Sequence, residues 1–223
     1  MKLNLLYITL LFLAPTLRAQ NITQEMLMLN NNYTSINSYS ASMKVLYYSA
    51  ENEKIEEESG SYIQHGKYSR YILGPVEVLN FDNELLQLNH KDSIAVYKSS
   101  SFNNQSVNPM DNYVKRISNY LKICKDSSVT ENGDNKIVHI SLKSPIDNMT
   151  GITITFSKNY IIQSFEIHLV NNEKIRFEYT NVLFNKNKIN KTFKRSDYVV
   201  GSGSEIHLQK KYSTYTFNNF SNQ

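Results

Sequence analysis

A mainly β fold with two helices is predicted for this chain of 223 residues. Three observations predict it. Apolar and polar residues alternate through the second half, at Ile152, Ile154, Phe156, then Phe165, Ile167, Leu169, then Ile175, Phe177, Tyr179. Period-two alternation gives each strand one dry face and one wet face. The runs are separated by short turn chemistry, SPIDNMTG, SKNY and NNEK, which makes an antiparallel meander. Two other stretches switch to steps of three and four, the spacing of an amphipathic helix. A sheet that is dry on one side must bury that face, and the helices are expected to cover it.

In chain order, Met1–Ala19 reads as a signal peptide. Lys2 forms a basic start, Leu3–Leu13 an apolar run, Pro15 a break, and Ala19 the small residue before the cut, so Gln20 is the expected mature N-terminus. The apolar run is short for a membrane span, and no later stretch reaches the roughly 20 apolar residues that a spanning helix needs. No cysteine stands at the cut to carry a lipid. An exported, periplasmic protein is expected. Ile22, Met26, Leu29, Tyr33 and Ile36 then form one helical stripe, with Asn21 or Thr23 as cap and Glu25 in the first turn, where the helix dipole favours an anion.

Tyr39–Ser49 alternates and reads as a strand, and the charged stretch Ala50–Glu58 reads as a turn whose acids can extend into the strand ends. Gly60–Gln64, Tyr68–Leu73, Val76–Phe81, Glu84–Asn89 and Ser93–Lys98 are five further short strands, separated by HGK, GP, FDNE and NHKD. Ser99–Asn108 is a loop by composition. Pro109 opens a second helix, Met110–Cys124, whose stripe is Tyr113, Ile117, Tyr120, Leu121 and Cys124. Val129 begins the second half of the sheet, about five strands long, with the turn ENGDN before Lys136. Beyond Phe193, Tyr198–Val200 and Ile206–Phe217 are read as edge strands around a flexible GSGS.

Composition narrows the function. The formal charge is +4, and without Lys2 and Arg18 the mature chain has 22 basic against 20 acidic residues, a net +2. That balance argues against nucleic acid as a partner, and Lys186, Lys188, Lys191 and Lys194 read as a solvated loop. Sixteen tyrosines and ten phenylalanines, with no tryptophan, suit a surface apolar in body and wet at the rim. The lone Cys124 makes no internal disulfide, has no local base to activate it, and reads as a small buried hydrophobe.

No catalytic motif stands out. His65, His90, His139, His168 and His207 form no HExxH and no pair at ligand spacing, so no metal or cofactor is expected. Glu56, Glu57 and Glu58 are consecutive, as in a solvated hairpin rather than a glycosidase pair. Gly201–Ser204 lacks the ending of a phosphate loop, and there is no GxSxG. Six Asn-x-Ser/Thr triplets, at Asn21, Asn32, Asn104, Asn148, Asn190 and Asn219, are expected by chance in so Asn-rich a chain. The chain is not read as an enzyme.

The layout of signal peptide, helix, six strands, helix and about five strands resembles the LolA-like family of periplasmic lipoprotein carriers. Glu58-Ser59-Gly60-Ser61 is similar to the family's entry to its second strand, and Gly66-Lys67-Tyr68 sits where the family has Pro-Gly-Lys-Phe. Phe81-Asp82-Asn83-Glu84-Leu85 resembles its Ser-Asp-Gly-Lys turn, followed as there by a strand ending in a tyrosine, Tyr97. Asn132-Gly133-Asp134, and Ile175–Phe193 with Asn185, resemble its closing strands. The family's lid-facing arginine stands where this chain has His65, with Arg70 nearest, and its tryptophans are replaced by Tyr71 and Leu86.

The resemblance implies a half-open antiparallel β-barrel, lidded by the N-terminal helix and the inserted central helix, over residues 20–200, with a C-terminal extension over 201–223. It implies a carrier that holds acyl chains of lipoproteins or lipids and passes them from an inner-membrane transporter toward an outer-membrane acceptor. A monomer is expected. Each methylene taken out of water is worth about 0.8 kcal/mol, so such a carrier needs a dry interior. The residues expected to line it are Tyr39, Met43, Val45, Tyr47, Ile72, Val78, Ile154, Phe156, Phe165, Ile167, Phe177 and Tyr179, with Met26, Leu29, Ile117 and Leu121 as lid. Each has an equal claim to be plain core. The alternative reading is an envelope interaction or scaffold protein that keeps the sheet, fills its interior, and docks a partner through sheet edges or the tail after Val200.

Overall fold

The computed structural model describes residues 22–33, 36, 38–99, 119–184, 193–202 and 205–220. The expected signal peptide, Ile117 and most of the expected central helix lie outside them, as do Asn104, Asn185 and Asn190. The described residues are mostly strand. β1 is Ser38–Tyr48, β2 Lys54–His65, β3 Tyr68–Leu73, β4 Val76–Phe81, β5 Glu84–Asn89 and β6 Ile94–Ser99. β7 is Cys124–Asn132, β8 Asn135–Ile146, β9 Met149–Ser157, β10 Ile162–Leu169 and β11 Lys174–Phe184. β12 (Val199–Val200), β13 (His207–Leu208) and β14 (Thr216–Asn219) close the chain. Among the described residues, twelve strands are hydrogen-bonded neighbours in the order β14-β6-β5-β4-β3-β2-β1-β11-β10-β9-β8-β7, and β12 pairs with β13. β2 to β6 pair antiparallel in succession, as do β7 to β11 and β12 with β13, and β14 pairs parallel with β6.

The chain divides into two units, and β1, β2 and β11 contribute residues to both. The first comprises residues 1–35, 45–57 and 113–179. Its core is the face shared by Val138, Ile140, Ile152, Ile154, Phe165, Ile167 and Phe177, which the registers of β8 to β11 bring into line. Residues 22–33 form the predicted helix, α1, which buries Ile22, Met26 and Leu29. Polar contacts hold it to the sheet: Lys136 Nζ of β8 to Glu25 Oε1 at 2.5 Å, Asn32 Nδ2 to Tyr160 O at 3.0 Å, and Ile162 N to the Tyr33 hydroxyl at 3.0 Å. Lys136 pairs with Phe156 across the ladder, so α1 lies over the face that carries Phe156.

The second unit comprises residues 36–44, 58–112 and 180–223. Its hairpins β3–β4–β5–β6 have the boundaries the turn chemistry predicts, within one residue. Gly60 of β2 stands where an added Cβ would lie 2.1 Å from Ile72 O, so only glycine permits the close β2–β3 approach.

Four expectations are corrected. β2 starts at Lys54, inside the stretch read as a turn, because residues 54–57 are exposed and carry no dry face to signal a strand. β7 starts at Cys124, not Val129, for the same reason: its residues are half-exposed or exposed throughout. Cys124 is therefore not the last residue of the helical stripe. Residues 119–122 are helical, Cys124 pairs with Leu142 in β7–β8, and its half-buried Sγ donates to Leu121 O at 3.1 Å. The loop read from SPIDNMTG contracts to Asp147-Asn148, both at positive φ, in a two-residue hairpin turn closed by the Ile146–Met149 pair.

Candidate apolar binding face

Register sorts the side chains of β3 to β6 into two faces. On one, Leu79, Leu86 and Tyr97 form a row, with Glu77, Leu88 and Ala95 beside them and Phe81 beyond. These residues are buried, and Tyr198, Val199 and Ile206 of the C-terminal segment join them in one cluster, with Phe193, Leu208, Tyr212, Tyr215 and Phe217 packed against it. Ile206, Leu208, Tyr212, Tyr215 and Phe217 of the expected extension thus join Phe193, Tyr198 and Val199 in a second layer over this face. β14 adds Phe217 beside Tyr97, ring centroids 6.4 Å apart.

The other face carries Tyr71, Val78, Gln87 and Val96 in one row, and Leu73, Val76, Asn89 and Ile94 in the next. A third row, Ser69, Asn80, Leu85 and Lys98, is more polar. Val76, Val78, Leu85 and Val96 are only half-buried, and Ile94 is exposed. Toward β2 and β1 the face deepens into aromatics. Tyr71 pairs with Tyr62, whose ring lies 5.5 Å from that of Tyr39, and Tyr39 stacks on Phe184 at 5.4 Å. Tyr39, Ala41 and Met43 alternate along β1 and are all buried. The face thus runs from an aromatic floor of buried Tyr39, Tyr62 and Tyr71 to half-exposed aliphatics with a polar margin.

Of the residues expected to line a cavity, Tyr39, Met43, Ile72 and Val78 fall in this unit, and Val78 lies on the open face. Ile72 does not join it. It pairs with Glu77 and stands on the face that the C-terminal segment seals. Tyr62, Tyr71, Leu85 and Val96 belong to the open face and were not among the expected residues. For Leu85 the signal is that β5 (ELLQLN), like β4 (VEVLNF), carries apolar residues at both parities, as strands covered on two sides do.

The remaining expected residues fall in the first unit. Val45, Ile154, Phe156, Phe165, Ile167, Phe177 and Tyr179 are buried, Ile154, Phe156 and Phe165 completely, and Tyr47 is half-buried. Of the lid residues, Met26 and Leu29 are buried and Leu121 is half-buried.

Several polar groups of each unit have definite partners. Arg70, the nearest arginine to the family's lid position, lies on the sealed face and donates Nε to Glu77 Oε1 at 2.7 Å. His65 Nδ1 meets Ser38 Oγ at 3.0 Å. Arg195 pairs with Glu84 beside the buried Tyr97, whose hydroxyl is pushed up to about 12, first by burial and then by Glu84. On the outer face of the first unit, His139 Nδ1 and His168 Nε2 both meet Thr153 Oγ1 at 2.9 Å, and Glu166 Oε1 lies 3.3 Å from His168 Nε2. Burial, more than any charge, lowers the His168 pKa. Among the described residues, no group of three or more His, Cys, Asp or Glu side chains is placed to hold a metal ion, and no helix is long and apolar enough to cross a membrane.

No family model and no curated protein matches the chain. Solved structures similar to it include a LolA superfamily protein from Nitrosomonas europaea, at 8% identity and TM-score 0.35 over 79% of this chain and 98% of that one. The Mycobacterium tuberculosis lipoprotein LppX is similar at 9% identity and TM-score 0.41, over 73% and 94% of the two chains. A DUF1329 family protein from Desulfovibrio piger is similar at 8% identity and TM-score 0.40, over 78% and 97%.

Proposed function

We propose that this chain is a non-enzymatic, exported carrier that shelters acyl chains of a lipid or lipoprotein, and that the open face of the second unit receives them. One observation carries this reading. The sheet of that unit is apolar on both sides, and among the described residues the C-terminal segment seals one side while Val76, Val78, Leu85 and Val96 stay half-exposed on the other. A carrier needs such a surface, because burying each methylene of an acyl chain is worth about 0.8 kcal/mol. Transfer from an inner-membrane transporter to an outer-membrane acceptor in the periplasm is the route that the family resemblance suggests for such a cargo.

The first unit favours the filled-interior reading instead. Ile154, Phe156 and Phe165 have no exposed surface under α1, as in an ordinary core. The ligand is therefore assigned to the second unit, and the first is read as its scaffold. The test is mass spectrometry of organic extracts from protein purified from its own envelope without detergent. A stoichiometric lipid or acylated peptide is the expected result. A folded protein with an empty extract turns the reading to an interaction or scaffold protein.

A further inference from the structure

We propose that the C-terminal segment, residues 193–202 and 205–220, is a strap that lifts from the second unit as one body, and that Glu77 is its latch. The sheet beneath does not need the strap for its own ladders, since β3, β4, β5 and β6 pair with one another through complete antiparallel registers. The strap's own regular structure is local: turns at Arg195–Asp197 and Lys210–Tyr212, and the two-residue β12–β13 ladder. Its backbone joins the sheet through the four parallel pairs of β14 on β6. Segments held mainly by side chains open at lower free energy than the ladders they cover.

The polar contacts single out one residue. Glu77 is buried, and donors from three parts of the unit converge on its carboxylate. Arg70 Nε of β3 reaches Oε1 at 2.7 Å, the Tyr198 hydroxyl reaches the same oxygen at 2.9 Å, and His90 Nε2 meets Oε2 at 2.9 Å. The other nitrogen of His90 meets the Tyr215 hydroxyl at 2.7 Å. Tyr198 and Tyr215 lie near opposite ends of the strap, so one carboxylate holds both ends, one directly and one through His90. Tyr212 stacks on Tyr198 at 5.9 Å and meets Tyr215 edge-on at 5.3 Å, which couples the two anchors into one patch. Arg195 adds a second tie to the sheet, at Glu84, and braces the strap internally at Gly201 O. With the strap lifted, Leu79, Leu86, Leu88 and Ala95 form a second apolar face. The proposal stands independently of any ligand on the open face.

Hydrogen exchange read by mass spectrometry on the full chain tests it, comparing wild type with Glu77→Gln, Tyr198→Phe and Tyr215→Phe. In Glu77→Gln, peptides from the strap are expected to exchange at least about tenfold faster, while β3–β5 peptides keep their protection. Uniform acceleration of strap and sheet makes the segment ordinary core and overturns the proposal, as does no change in the strap. Where Glu77→Gln fails to fold, the two Tyr→Phe variants carry the test, since each removes one hydroxyl and leaves the Arg70–Glu77 pair intact. Faster exchange confined to the strap in both supports the latch, and its absence in both overturns it.

Discussion

Lys136 of β8 and Glu25 of α1 form an ion pair at 2.5 Å, with both side chains largely withdrawn from water. It ties the helix to the sheet across 111 positions of sequence. The second carboxylate oxygen, Glu25 Oε2, is buried with no hydrogen-bond partner, so Lys136 compensates most of that charge. Lys136→Met leaves the carboxylate unpaired and is expected to cost about 2–4 kcal/mol, more than Glu25→Gln, which removes the charge itself. The hydrogen bond to Glu25 raises the Lys136 pKa above its usual 10.5. The stability this contributes is complete below 10.5 and is lost as pH rises through the raised folded value. Tyr160 beside the pair is also raised, first by burial, and its titration has the same sign. Urea midpoints between pH 8 and 12 are therefore expected to fall less steeply in Lys136→Met than in wild type. Equal slopes would mean that the pair does not anchor the helix.

Gly60 and Gly66 separate two uses of glycine. An added Cβ at Gly60 meets the backbone oxygen of Ile72 at 2.1 Å, so the β2–β3 ladder itself must shift. At Gly66 nothing lies within 4 Å, and the demand is only a φ of +57° in the β2–β3 turn. Gly66→Ala is expected to cost about 1 kcal/mol from backbone strain alone. Gly60→Ala is expected to cost at least about 2 kcal/mol, because backbone cannot give way as a side chain can. Chemical denaturation of both variants checks the order, and equal costs would contradict the close approach.

These cases show which parts of the fold were legible. β3, β4 and β5 were read to the residue because short turns punctuate an alternating pattern. The start of β7 was missed because Lys125, Asp126 and Ser128 are exposed, and an edge strand wet on both faces alternates nothing. Ile72 and Val78 fall in one expected lining set because β3 and β4 are apolar at both parities. When both faces are buried, period two no longer tells which side a residue takes. The layer that decides it is the C-terminal segment, whose Tyr198 meets Glu77 across 121 positions, and no local pattern encodes that contact. The aromatic floor was half legible: Tyr39 and Met43 follow from the alternation of β1, whereas Tyr62 and Tyr71 needed the register of β2 on β3.

His168, which meets Thr153 opposite His139, is expected to make the first unit sensitive to acid. A threonine hydroxyl has one hydrogen, so it donates to one ring and must accept an N–H from the other. Glu166 favours the charged form of His168, while burial, His139 and Lys174 oppose it, and burial dominates. The folded pKa of His168 is thus below 6.5. As pH falls below 6.5 the unfolded chain takes up this proton first, so stability drops, and the loss levels off once pH is below the folded value. Denaturant midpoints at pH 7.5 and 5 are expected to show this loss in wild type and a smaller one in His168→Gln. An unchanged slope in His168→Gln would remove His168 from the acid response.

Val78 and Phe165 distinguish a ligand surface from a core. Both were read as lining residues, but Val78 is half-buried on the open face of the second unit, whereas Phe165 has no exposed surface in the first. Val78→Asp places a charge where an acyl chain would lie, at the side of the sheet away from the sealed cluster. It is expected to change stability by no more than about 1–2 kcal/mol, since the new carboxylate keeps access to water. Its organic extract is expected to lack the lipid found with wild type, because an acyl chain laid against the carboxylate would desolvate it. Phe165→Ala removes a ring packed against Phe177, centroids 6.5 Å apart, and is expected to cost about 3–5 kcal/mol. Where the protein stays folded, the same lipid is expected in the extract, since the ligand is assigned to the other unit. A Val78→Asp protein that carries wild-type lipid would move the site off this face. A folded Phe165→Ala protein that has lost the lipid would place the cargo in the first unit, against the assignment made from burial.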